Sequence, residues 1–276
     1  MKKSLQVIII AAVLLCAVCF TGCSAPQNDE LVLDSAKLAT GTYTFATRLV
    51  NGDSAVTYDT VYVIEKYTAE DGKEMIRIQS SGKREGQTIY SRNELLGNTY
   101  DGRTAFSPVS IFMEYHDKAN SQNDVIVNVS HSFKDKKFDI TVKSYADGAL
   151  EMTEQKVTVN TEVQYYDSES LPFVIGCLPL EKGMTRNFTL SSSNRDQVQS
   201  MKLTVADVVQ VDVNQQKVEC YAVVIQPNTP FTHYATYMYY RTDNQQLVMI
   251  KQENTSFTLT DYTHIIAEIT PNEDEK

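Results

Sequence analysis

The sequence contains no tryptophan, and only four histidines and five cysteines among its 276 residues. Basic residues are also scarce: 25 Lys and Arg stand against 35 Asp and Glu, a net charge of −10. A chain this acidic is poorly suited to gripping phosphate backbones, which takes clustered Lys and Arg, so no nucleic-acid partner is expected. The apolar run from Val7 to Phe20 is about 14 residues, short of the roughly 20 that a membrane-spanning helix needs. Gly-x-Ser-x-Gly, His-Glu-x-x-His and phosphate-cradling glycine loops are all missing. His116, His131, His233 and His264 do not fall into a metal-ligand spacing. His131 and His233 lie in strand-like runs, where a polar-face or hydrogen-bonded core role is the simpler reading. Ser80-Ser81-Gly82 and Ser191-Ser192-Ser193 read as loops or strand ends rather than nucleophile sites. Carboxylates are so common that no catalytic pair stands out. These absences lead to the expectation of a non-enzyme with no metal and no cofactor. The 42% hydrophobic content excludes a chain disordered throughout.

What the N-terminus does have is an address. Met1-Lys2-Lys3 is positive, Val7 to Phe20 is apolar, and small residues Thr21 and Gly22 precede Cys23. That is the layout of a secretory signal. Phe20-Thr21-Gly22-Cys23 resembles a bacterial lipobox, with Phe20 where Leu is usual. The small neighbours let a peptidase reach the bond before the thiol that takes the diacylglycerol. Cys16 and Cys19 follow Leu15 and Val18 and lack such a neighbour. Residues 1–22 are therefore expected to be a cleaved signal helix, and Cys23 the lipid attachment site. Two or three palmitate-type acyl chains anchor a protein stably. The plainer alternative is an ordinary signal peptide or a short anchor helix. Loss of Lys2 and Lys3 leaves 23 bases against 35 acids, or −12. Residues 23–39 read as a flexible tether, in which Leu31, Leu33 and Leu38 form a short docking helix. The expected location is the bacterial cell membrane, on the side away from the cytoplasm. There the acidic domain is repelled from an anionic surface.

Residues 40–270 carry period-two alternation. Phe138, Ile140 and Val142 alternate with Lys137, Asp139, Thr141 and Lys143. Val125, Val127, Val129 and Phe133 share one face. Met201, Leu203, Val205, Val209, Val211 and Val213 trace a long strand with room for a bulge. Asn51-Gly52, Asp71-Gly72, Asp101-Gly102 and Asp147-Gly148 are hairpin signals, because these pairs accept positive φ. Asp135-Lys136, Asn214-Gln215 and Asp243-Asn244 are weaker ones. The pattern predicts a mainly β fold: a curved antiparallel sheet or half-open barrel, built as a meander. One segment breaks it. Residues 168–178 predict a short plug helix, capped by Ser170 with Pro172 in its first turn. It divides the strands into halves at 40–166 and 183–270. Residues 271–276 read as an acidic, frayed tail.

Several of these features occur together in a known family. Leu171-Pro172-Phe173 through Leu178-Pro179-Leu180-Glu181-Lys182-Gly183 to Phe188 resembles the midpoint of an exported bacterial family of unknown function, DUF3108. The valine-rich strand ending at Val213, Cys220, and Tyr237-Met238-Tyr239 followed by Asp243 fit the same pattern. Asp101 to Pro108 resembles that family's turn-then-proline strand. The resemblance spans about residues 40–270 and implies a curved antiparallel sheet. It brings no catalytic residues.

Cys177 and Cys220 remain after signal removal. They are either a disulfide, which an envelope location permits, or two buried thiols. The tyrosines Tyr58, Tyr62, Tyr67, Tyr165, Tyr166 and the run Tyr234 to Tyr240 suit a cleft for a sugar or lipid, or simply fill sheet faces. The sequence thus leads to a non-enzymatic envelope binding module whose concave sheet takes a lipid or glycan. The alternative is a structural or protein-interaction component of the envelope with a filled core.

Overall fold

The computed structural model describes residues 31–51, 54–84, 86–119, 124–132, 136–145, 152–161, 163–191, 198–228, 235–252 and 255–263. Phe20, Thr21, Gly22 and Cys23, the Asp147-Gly148 turn, His233, His264 and the acidic tail lie outside these residues.

The first eight strands are β1 (Gly41–Asn51), β2 (Ser54–Thr68), β3 (Glu74–Arg84), β4 (Gln87–Leu96), β5 (Pro108–Asp117), β6 (Val125–Ser132), β7 (Lys137–Tyr145) and β8 (Met152–Asn160). A two-residue strand β9 (Tyr166–Asp167) and the helix α1 (Leu171–Ile175) follow. The chain then forms β10 (Thr185–Ser191), β11 (Val198–Val213), β12 (Gln216–Pro227), β13 (Thr236–Arg241), β14 (Leu247–Lys251) and β15 (Thr255–Thr263).

All fifteen strands belong to one sheet, in the order 8-7-6-5-4-3-2-1-15-14-13-12-11-10-9. Neighbours are antiparallel except β9 and β10. The chain starts at the centre of the sheet, meanders out to β8, jumps to the opposite margin and meanders back until β15 pairs with β1. Laid flat, fifteen strands would span about 67 Å at about 4.8 Å per neighbour. Yet the link from Asn160 to Tyr166 has only six peptide steps, about 21 Å at full stretch. The sheet must therefore curl until its two margins lie near each other. Packing agrees: Val198 of β11 touches the core cluster built by β4 to β8. The result is a barrel-like sheet whose outermost strands do not pair, as the alternation and turns predicted.

Two apolar clusters fill the concave side. The larger gathers Phe45, Ile64, Ile78, Leu203, Val223, Met238 and Tyr240 around the whole of α1. The smaller joins Ile111, Met113, Val127, Val129, Phe138, Ile140 and Tyr165. The local forms follow from sequence. Val213 to Gln216 close a two-residue hairpin in which Asn214 and Gln215 both have positive φ, 50° and 64°. The expected bulge in β11 falls between Val205 and Asp207. Helix α1 is five residues long, shorter than the 168–178 expected. Ser170 is its N-cap, but makes no side-chain capping bond, and Pro172 sits in its first turn.

The segment before β1 differs from a tether. Leu31 and Leu38 are buried in the larger cluster, and Leu33 packs against it. Ser35–Lys37 form a 3-10 helix whose N-cap, Asp34, accepts from Ala36 N at 3.0 Å. Asp34 N donates to Cys177 O at 3.3 Å. Apolar burial outweighs chain freedom here, so residues 31–38 belong to the folded body.

Candidate functional site

Alternation of strand direction places the loops in two sets. The plug helix, the 31–40 segment, the turn after β2 and the connection from β4 to β5 lie at one end of the barrel. The turns joining β1 to β2 and β3 to β4 lie at the other. Two cavities lie at the plug end.

The larger cavity, about 750 Å³, is a groove on the outer face at that end. Its volume falls in the range typical of small-ligand pockets. Met75 and Leu96 pair across β3 and β4 and form the floor. Both are buried, yet neither belongs to the interior clusters, so they point to the opposite side of the sheet. Val109 completes the apolar part. The walls are the turn carrying Glu70, Asp71 and Lys73 and the loop carrying Tyr100, Asp101 and Arg103.

Local backbone chemistry builds these walls. Tyr100 and Arg103 exchange two backbone bonds of 2.8 Å around Asp101 and Gly102, whose φ values of 47° and 76° make a tight hairpin turn. Gly97 holds the loop against β3: its N–H donates to Glu74 O at 2.8 Å, and a Cβ there would stand 3.0 Å from that backbone. Phe106 is fully buried at φ 66°, and its N–H bonds Leu96 O at 2.7 Å. Positive φ is strained for so bulky a residue, and core burial of the ring holds it.

The groove has a charged rim. Lys73 Nζ lies 2.6 Å from Asp71 and 5.1 Å from the Tyr100 ring centroid. That pairing raises the Lys73 pKa and lowers that of Asp71. Burial pulls the Arg103 pKa down, and Arg103 donates to Pro108 O. Beside the floor, Tyr67 OH and Arg77 Nε donate to Glu94 at 2.6 and 2.7 Å. This ladder stiffens the sheet under the groove.

The second cavity, about 150 Å³, lies against the plug helix between Tyr43, Phe173, Tyr240 and Tyr262. The rings of Tyr43 and Tyr262 are 4.5 Å apart. Cys177 also lines it and is a free, buried thiol, as Cys220 is. No disulfide joins them. Burial pushes the Cys177 pKa up to about 12 and that of Cys220 up to about 11, so both thiols are inert.

Other sequence candidates are dispersed. His131 is buried among Phe138 and Tyr165, 2.8 Å from the Tyr165 hydroxyl. Burial, then Arg103, lowers its pKa to about 3, so it is a neutral core histidine. His116 lies on the outer face between Glu114 and Asp124, at 2.9 and 3.2 Å, in neither cavity. Ser80 bonds Ser91 at 2.7 Å in the interior, and Ser191 bonds Tyr166 O at 3.2 Å. Among the described residues no group of three or more His, Cys, Asp and Glu is placed to hold a metal.

One pair could not be singled out in so acidic a sequence. Asp167 and Glu169 are both buried in the turn entering α1. Asp167 accepts from the N–H groups of Glu169 and Ser170, at 3.2 and 2.9 Å. Burial raises its pKa to about 6 despite those bonds. Burial, and then Asp167, raises that of Glu169 well above the usual range, and its Oε2 has no hydrogen-bond partner. The Asp-Ser-Glu-Ser spacing signalled a turn and a cap. Nothing in it signalled burial.

No curated protein matches the chain. Among solved structures it resembles a β-barrel-like protein of the family DUF1849 from Brucella abortus, at 11% identity and TM-score 0.45, covering 83% of this chain and 98% of that one. A weaker likeness is to Aeromonas veronii immune modulator A, at 8% identity and TM-score 0.15, covering 78% and 71%. Residues 42–268 match the model of a family described as "Protein of unknown function (DUF3108)".

Proposed function

This chain belongs to the DUF3108 family of proteins of unknown function, and from that premise we propose that it is a non-enzymatic, lipid-anchored binding module of the bacterial envelope, with a glycan as ligand. The observation that carries the reading is the outer-face groove of about 750 Å³. Its mouth holds Tyr100 among Glu70, Asp71, Asp101 and Lys73. A sugar offers C–H faces to a tyrosine ring and hydroxyls to carboxylates and ammonium groups. An acyl chain would need a longer apolar wall than Met75, Leu96 and Val109 provide. The concave side, where the sequence placed the ligand, is occupied by α1 and the two core clusters. That packing favours the groove over the interior.

The test is titration of the full chain with soluble N-acetylglucosamine oligomers, followed by tyrosine fluorescence and by NMR. Saturable binding that Tyr100→Ala weakens about tenfold, or 1.4 kcal/mol, supports the reading. Equal binding by Tyr100→Ala, or no binding alongside copurified lipid, overturns it.

A further inference from the structure

We propose that the protein stands on the bilayer with its plug-helix end toward the membrane, oriented by the docked segment Leu31–Leu38. The proposal rests on acylation of Cys23, part of the reading above.

The docked segment is part of the rigid body. Leu31 and Leu38 are buried against the plug helix and its neighbours, and Asp34 N bonds Cys177 O just after that helix. The chain therefore leaves the fold at the plug end. Seven residues, Ser24 to Glu30, separate Cys23 from Leu31. Eight peptide steps reach about 28 Å at full stretch. Strand β2 alone, fifteen residues from the far end of the barrel to the plug end, is about 46 Å long. The tether thus brings the plug end to the surface easily, whereas even at full stretch it falls short of the length of β2 and cannot set the far end there.

Side chains at the exit point fit a lipid surface. Val32, next to the buried Leu31, is 81% exposed, well beyond the 44% of Tyr237, the next large apolar side chain. Lys37 follows in the last turn of the 3-10 helix. An apolar side chain near a lysine suits the boundary between acyl chains and headgroups. The rim acids Glu70, Asp71 and Asp101 share this end. They act over about 8–10 Å at physiological salt, which keeps the groove mouth hydrated and off the surface. In this orientation the groove lies on the side wall close to the bilayer.

The experiment uses the full lipidated chain in vesicles carrying a headgroup acceptor dye. A donor dye is attached at Glu70→Cys, near the plug end, or at Lys83→Cys, near the far end; the buried Cys177 and Cys220 serve as the unlabelled background. Energy transfer is expected to be several-fold greater from position 70. A flexible Gly/Ser spacer of twenty residues inserted between Glu30 and Leu31 is expected to remove most of that difference. Intact mass on the same preparation reports Cys23. Acylated Cys23 with equal transfer from both positions overturns the orientation alone. Unmodified Cys23 overturns the anchor and the orientation together.

Discussion

The Tyr240 hydroxyl donates to the Pro172 carbonyl at 2.6 Å, across 68 residues of sequence. Pro172 sits in the first turn of a five-residue helix, too short to satisfy its own carbonyls. A strand on the returning half of the sheet therefore supplies the bond that seats the plug. Burial keeps the phenol neutral by pushing its pKa well up. Tyr240→Phe removes the donor of this buried bond with no change in shape. The expected loss is about 1–3 kcal/mol, read as a lower thermal midpoint at unchanged strand content.

The buried carboxylates make stability depend on pH with a definite sign. Asp167 and Glu169 have folded pKa values above their unfolded ones, so the folded state holds more protons. Stability then falls as pH rises. For Asp167 the fall runs from about pH 4 to about pH 6, the unfolded and folded values. Glu169→Gln removes one of the two ionisations. It is expected to raise the thermal midpoint at pH 8 by several degrees and to match the wild type at pH 4. Equal midpoints at pH 8 would show that Glu169 ionises without cost.

Gly97 permits the loop to approach β3. An alanine Cβ would stand 3.0 Å from the Glu74 carbonyl group, tight enough that the loop or β3 must shift by a few tenths of an ångström. Gly97→Ala is expected to cost about 1–3 kcal/mol by overpacking. It should also perturb Tyr100 and Arg103 in NMR spectra, while leaving the Ser80–Ser91 region of the interior unchanged.

The groove is absent from the sequence reading for a physical reason. Alternation tells which residues share a face, and it identified Phe138, Ile140, Val127 and Val129 as one apolar side, which the structure buries together. It cannot tell that Met75 and Leu96, on the other side, become neighbours through the pairing of β3 and β4. Local chemistry was more legible. Asn214-Gln215 turns at positive φ, and β11 carries the bulge its valine pattern allowed, between Val205 and Asp207. A plug helix was legible from Pro172 in an apolar stretch, but its length of five residues was not, and Ser170 makes no capping bond. Leu31, Leu33 and Leu38 suggested a short docking helix, and the structure docks them beside a 3-10 turn; what they dock against was not legible, because the plug helix lies more than a hundred residues away. Likewise, acidic residues are so frequent that Asp167 and Glu169 became distinct only once their burial was known.

The pairing of β1 with β15 sets Thr42 opposite Thr263. Among the described residues, the first strand is thus completed by the last. Until that strand emerges, β1 presents an open row of backbone donors and acceptors to any other extended chain. Closing this contact also takes a loop of more than two hundred residues, which slows folding of such a topology. A protein built this way depends on being kept apart from its own copies until β15 has paired, and a chain truncated before β15 would be expected to aggregate through β1 rather than fold in part.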